Sequence, residues 1–179
     1  MERGVYRLNL DTREKQRLVE VQDPESTVQT HINDGKCDAK GRLWIGSMSS
    51  TGVQNLIPEK NNFWSFSKGQ LKHKLGKISL SNGITWTCDN RTMFYVDTVP
   101  GNVYVFDFDL AAGEITKILT KISFPAKYTS SCCFGGKNYD TLYVTSGSFR
   151  PDATRPEDGR LFKVTELGVK GKAAYEFGG

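Results

Sequence analysis

The chain has 179 residues, 37% apolar and 25% charged, with 24 Lys and Arg against 20 Asp and Glu. That length suits roughly one domain, the ordinary composition excludes wholesale disorder, and no apolar run approaches the ~18 residues of a membrane span. The net charge of +4 is dispersed along the sequence, where a nucleic-acid binder concentrates its cations in a stripe or tail.

Eighteen glycines and only six prolines imply many tight turns between short elements. The N-terminal residues carry no apolar signal core, so a cytoplasmic protein without membrane or nucleic-acid partners is the expectation. The cysteines Cys37, Cys88, Cys132 and Cys133 have no CxxC spacing, which argues for free, mostly packed thiols over a zinc knuckle.

In chain order, the first pattern is a strand at Gly4-Val5-Tyr6-Arg7-Leu8, a turn at 11–14 and a strand at Gln16-Arg17-Leu18-Val19. Asn33-Asp34-Gly35 and a polar turn at 38–42 then lead into the strand Leu43-Trp44-Ile45-Gly46. A hairpin follows, from Asn62-Phe63-Trp64-Ser65-Phe66 through Lys68-Gly69 to Leu71. The series then repeats. Ser81-Asn82-Gly83, a turn at 89–92 and Phe94-Tyr95-Val96-Asp97 precede a hairpin from Gly101-Asn102-Val103-Tyr104-Val105-Phe106 over 111–113 to Glu114-Ile115. It begins a third time with Ser130-Ser131-Cys132, a turn at 137–140, Leu142-Tyr143-Val144-Thr145 and Gly159-Arg160-Leu161-Phe162-Lys163-Val164.

The strands starting at Leu43, Phe94 and Leu142 lie 51 and 48 residues apart. A strand, turn, strand and hairpin over about 50 residues is the size of a four-stranded propeller blade. The fold class is therefore all-β, a β-propeller of about three to four blades, as a single domain over residues 1–179. A sandwich is the alternative, but it rarely repeats similar residues at a fixed interval. So few blades make an incomplete ring, which would leave apolar blade faces uncovered and open to self-association.

Several motifs resemble, in order, the pattern of the regucalcin (senescence marker protein 30)/gluconolactonase family. They are Asn33-Asp34-Gly35-Lys36 with Asp38, Gly41-Arg42 and Gly46-Ser47-Met48; Ser81-Asn82-Gly83; Phe94-Tyr95-Val96-Asp97-Thr98; and Leu167-Gly168-Val169-Lys170-Gly171. The most specific is Thr129-Ser130-Ser131-Cys132-Cys133-Phe134-Gly135-Gly136-Lys137-Asn138-Tyr139. The resemblance implies a six-bladed propeller with one divalent metal, Ca²⁺ or Zn²⁺, at the end of its central channel. It implies hydrolysis of sugar lactones, or calcium binding as described for animal members. The cation would polarise the lactone carbonyl while an Asp activates water.

Carried over residue by residue, Asn82 takes the place of the family's metal-binding Asn. Asn33 matches an Asn close to metal and substrate. His31 stands where the family often has a substrate-contacting Arg, whose bidentate fork a histidine lacks. Thr51 lies near the place of an acidic substrate contact and brings no charge. Asp97 is either a substitute ligand or a hydrogen-bond acceptor at a strand end, and Asn82-Gly83 alone also reads as a favoured turn. Cys132 and Cys133 read as packed thiols, and Trp44, Trp64 and Trp86 as core.

Two family pieces have no counterpart. One is the first blade with its metal-binding Glu, before Met1. The other is a blade near 118–127, opened by an Asp-Gly loop whose Asp is ligand and base. No catalytic residue can then be named. The expected activity is a regucalcin-like calcium-binding or lactone-hydrolysing one, for which this chain supplies too few carboxylates. The alternative is a non-catalytic scaffold or partner-binding protein.

Overall fold

In the computed structural model, which describes residues 3–21, 28–49, 57–148, 154–175 and 177–178, every regular element is a β-strand. The first hairpin pairs β1 (Gly4–Leu8) with β2 (Lys15–Glu20). A four-stranded sheet follows, from β3 (Thr30–Cys37), β4 (Leu43–Ser49) and β5 (Asn61–Ser67) to β6 (Gln70–Ile78). The next sheet runs from β7 (Ser81–Trp86), β8 (Thr92–Asp97) and β9 (Asn102–Asp109) to β10 (Glu114–Ser123). The last has β11 (Thr129–Gly135), β12 (Thr141–Ser146) and β13 (Leu161–Val164). In all four sheets consecutive strands pair antiparallel, which is the meander of a propeller blade. The repeat in the sequence is thus a repeat of blades, with 2, 4, 4 and 3 strands among the described residues.

Local chemistry places the turns. Asp38 and Asp89 each sit in the turn that follows the first strand of a blade, β3 or β7. Asp38 Oδ1 accepts the Lys40 and Arg42 amides at 2.8 and 3.2 Å, and Asp89 Oδ1 accepts the Arg91 amide at 3.1 Å. Each is an aspartate side chain satisfying the amides of a tight turn. Thr87 adds its hydroxyl to Asp89 at 2.6 Å, and these bonds hold the Asp89 carboxyl below its ordinary value.

The blades stack through clusters that strand alternation dictates. On β8, Met93 and Tyr95 face the second blade, where they pack with Trp44 and Phe63 beside Trp86 of their own blade. Phe94 and Val96, one residue out of step, face the fourth blade and pack with Cys132, Phe134, Leu142 and Val144. The β1–β2 hairpin covers the second blade's other face through Val5, Val19 and Val21 against Ile45 and Trp64. All three tryptophans are core, as the strand patterns predict. Trp44 is fully buried and is the hub, with ring contacts to Phe63, Trp86 and Phe108 at 5.5–6.4 Å.

The fourth blade follows β10 after only residues 124–128, and β11 lies directly against β7 and β8. Its free face is less apolar than an open arc predicts. Ser131, Cys133, Thr145 and Lys163 are exposed there, with Leu161 the large apolar exception at 62%. Beyond β13 the chain turns back under the blades. Lys170 accepts the Cys88 amide at 2.7 Å, and Gly171 and Tyr175 form isolated bridges with Thr87 and Cys37. Phe177 then stacks on Phe66 at 5.9 Å, and the Gly178 amide donates to Gly41. No helix among the described residues is long and apolar enough to cross a membrane.

Candidate functional site

The strands β3, β7 and β11 each begin a sheet, and β7 contacts both of the others across blade boundaries. Each carries an irregularity near its start. The register shifts between Ile32 and Gly35, between Ser81 and Ile84, and between Thr129 and Ser131. The residues freed from the ladder are Asn33 and Asp34, Asn82 and Gly83, and Ser130. Sequence patterning reads the first two as Asn-Gly-type turns; the chain instead makes bulges inside strands. A bulge releases a residue from pairing and re-aims its side chain, a common device beside functional sites.

The bulges bring two of the expected residues together. Asn33 Nδ2 donates across the blade boundary to the Ser81 carbonyl at 2.8 Å, the residue just before Asn82. Asn82 Nδ2 donates to Thr98 Oγ1 at 3.0 Å. Both amides are therefore oriented with nitrogen engaged. Asp34 is half-buried and takes the Gly35 amide on Oδ1 at 2.7 Å. The Ser81 and Thr129 hydroxyls, heading β7 and β11, are buried, and Ser81 lies against Tyr95 and Gly46.

The remaining expected residues lie elsewhere or act otherwise. Asp97 is 4% exposed, and its two oxygens accept the Ser79 and Leu80 amides at 3.1 and 2.9 Å. It ties the β6–β7 connection to the end of β8, which is the strand-end acceptor geometry. Burial pushes its carboxyl above the ordinary value despite those bonds. His31 pairs opposite Met48 on β4. Burial lowers its imidazole below the ordinary 6.5, so it is neutral near pH 7 and brings no Arg-like charge. Thr51 lies outside the described residues. Cys132 and Cys133 point to opposite sides of β11, one buried and one exposed. Only Cys132 is therefore the packed thiol expected of both, and burial pushes it up to about 12, where it is no nucleophile at neutral pH.

This donor set does not fit a tightly held dication. A hard cation of this class takes six or more oxygens, several of them carboxylates. The bulges offer two amide oxygens and one carboxylate already engaged by a backbone amide. No group of three His, Cys, Asp or Glu able to hold a metal occurs among the described residues. Among the described residues, Asp34 is the carboxylate carried by these bulges, and the Gly35 amide occupies its Oδ1.

The family profile described as SMP-30/gluconolactonase/LRE-like region matches residues 1–118 and again 114–148. Regucalcin of Macaca fascicularis is 30% identical over 198 residues, covering 83% of this chain and 66% of the relative. Regucalcin of Gallus gallus is 28% identical over 235 residues, covering 98% of this chain and 78% of its own length. The chain thus spans about two thirds of the macaque protein's length. A solved luciferin-regenerating enzyme shares the fold, with a TM-score of 0.66, 24% identity and coverage of 98% of this chain and 75% of that one.

The match with the macaque protein locates a gap. Of 179 residues, 83% is about 149, yet the alignment runs over 198, leaving about 49 without a counterpart inside it. That is one blade. The profile breaks and restarts at 114–118, on β10, immediately before the strand that packs directly onto the third blade. By its profile match and its four-stranded blades, this chain belongs to the SMP-30/gluconolactonase/LRE-like family, with about one blade's length of the macaque relative lacking a counterpart and the profile broken at β10.

Proposed function

We propose that the chain is a regucalcin-like member that binds sugar lactones or related polyols at the bulged ends of β3 and β7 and does not hydrolyse them at an appreciable rate. One observation carries this reading: among the described residues the bulges carry two amides, Asn33 and Asn82, and a single carboxylate, Asp34, whose Oδ1 the Gly35 amide occupies. Amides recognise hydroxyls; lactone hydrolysis also needs a base for water and a charge to hold the oxyanion. Divalent Ca²⁺ or Zn²⁺ binds weakly here, through Asn82 Oδ1 and Asp34, for want of carboxylates.

The test is gluconolactone hydrolysis by the purified, folded chain with added Ca²⁺ or Zn²⁺, beside an Asn82→Ala variant. The expected result is no metal-dependent turnover above buffer. Turnover that the substitution abolishes would overturn the reading.

A second reading, a non-catalytic scaffold that self-associates, rests on β13. It is an edge strand with Leu161 exposed, and unpaired edges are templates for another chain. Light scattering on the same sample decides it. A discrete dimer supports association, and a monomer at all concentrations removes it.

A further inference from the structure

Away from the bulges, the sides of the second and third blades enclose a groove of about 500 Å³ that the proposed function does not use. Lys40, Arg42, Lys68, Lys72 and Lys74 line it. The first two come from the turn after β3, Lys68 from the β5–β6 turn, and the others from β6. Strand alternation would send Lys72 and Lys74 to one side and Leu71 and His73 to the other. A bulge at Lys74, where Phe63 pairs with Leu75 and Trp64 with His73, turns Leu75 to the third blade as well. The opposite wall is the β9–β10 turn, at 111–113.

The groove is built. Lys74 is held with its side chain only 4% exposed, its amine 2.6 Å from Glu114 and 5.8 Å over the Trp44 ring. Arg42 is fixed by Asp38 Oδ2 at 2.8 Å and donates to the Leu110 carbonyl at 2.6 Å. Gly113, at φ +71°, is required where it stands, since a Cβ there would meet the Arg42 guanidinium at 2.6 Å. Of the five cations, Arg42 is paired with Asp38 and Lys74 with Glu114, and Asp109, which heads the opposite turn, is occupied by the Ala112 amide. Lys68 and Lys72 have no counter-ion among the described residues.

We propose that this inter-blade groove binds a small phosphate-bearing molecule. The lining cations outside those two ion pairs, Lys40, Lys68 and Lys72, match a multiply charged anion better than a monocarboxylate. Lysine amines serve phosphate as movable point charges, and the volume lies within the range of small-molecule sites. The site is independent of the lactone reading, because it shares no residue with the bulges.

Inorganic pyrophosphate titrated into the full chain, followed by calorimetry and backbone amide shifts, tests it. The comparison variants are Lys68→Glu/Lys72→Glu in the groove and Lys117→Glu/Lys121→Glu on exposed β10, with folding checked by circular dichroism. The expected result is saturable sub-millimolar binding, with shifts at 65–74 and 111–113. Affinity should fall tenfold or more in the groove variant and less than twofold in the β10 variant. Absence of saturation, equal loss in both variants, or shifts outside the groove would overturn the proposal. So would binding of a single-stranded oligonucleotide where pyrophosphate fails, which would point to a nucleic-acid surface.

Discussion

Asp97 shows how a single carboxylate can serve the fold while standing in a motif that suggests a ligand. Its oxygens hold the Ser79 and Leu80 amides, and burial raises its proton affinity above that of an ordinary aspartate at 3.8. The folded state therefore keeps this proton longer than the unfolded chain as pH rises. In the window from 3.8 up to the raised folded value, that difference erodes stability, and above the window the loss is complete. An amide in its place can accept one of the two backbone bonds and never titrates. The Asp97→Asn variant should accordingly gain stability relative to the native chain as pH climbs through that window, in urea melts taken from pH 3.5 to 7. A difference independent of pH would mean that the carboxyl titrates alike in both states, and one that moves the other way that the fold favours the charged form. The sequence left both roles open for this residue. What decides between them is the β6–β7 connection lying under the end of β8, a long-range fact that no local pattern carries. Asn33 and Asn82 were legible as residues but not as geometry. An Asn or Asp followed by Gly suggests a turn, and only pairing with the next strand makes it a bulge.

At the scale of elements, the sequence was a good guide because each blade repeats the same local chemistry. The strands at Leu43, Phe94 and Leu142 and the hairpin turns at 11–14, 68–69 and 111–113 all stand where alternation and turn residues put them. The joints between blades were not legible, since they depend on which surfaces meet. Gly83 marks a joint where backbone meets backbone. A Cβ on it would lie 2.5 Å from both the Cys132 nitrogen and the Ser131 Cα, backbone atoms that cannot rotate away. This contact is what lets β11 sit directly against β7. Gly83→Ala should force the third and fourth blades apart and cost roughly 1–3 kcal/mol, the usual range for overpacking. At about 2–4 °C per kcal/mol for a chain of this size, thermal unfolding would register the change. An unaltered melting temperature would mean the two blades do not meet there. The basic groove was illegible for the same reason. Lys40 and Arg42 lie some thirty residues before Lys68, Lys72 and Lys74, so along the sequence they read as dispersed charge.

For the molecule as a whole, the question is what holds an incomplete ring together. In a closed propeller every blade is clamped between two neighbours, and closure hides the sheet edges. Here the outer blades have a neighbour on one side, and the segment after β13 takes over part of the clamping. Leu167 and Val169 pack into the cluster between the third and fourth blades. Lys170 and Gly171 then bind the third blade at Cys88 and Thr87, while Tyr175, Phe177 and Gly178 reach the second at Cys37, Phe66 and Gly41. One strap thus ties three blades at the far ends of their first strands, opposite the bulges, and leaves the Asn33 and Asn82 end unobstructed. Gly171 fits because Phe134 fills the space a side chain would need. Burying an aliphatic side chain contributes about 1.5–3 kcal/mol, so two half-buried ones and the aromatic stack are worth about 3 kcal/mol together. A chain ending after Val164 should therefore melt roughly 6–12 °C lower. It should also lose the single cooperative transition, because the second blade would no longer be linked to the fourth except through the third. If calorimetry instead shows one transition at the original temperature, the clusters between blades suffice alone. The strap would then be a passenger on an arc already stable without it.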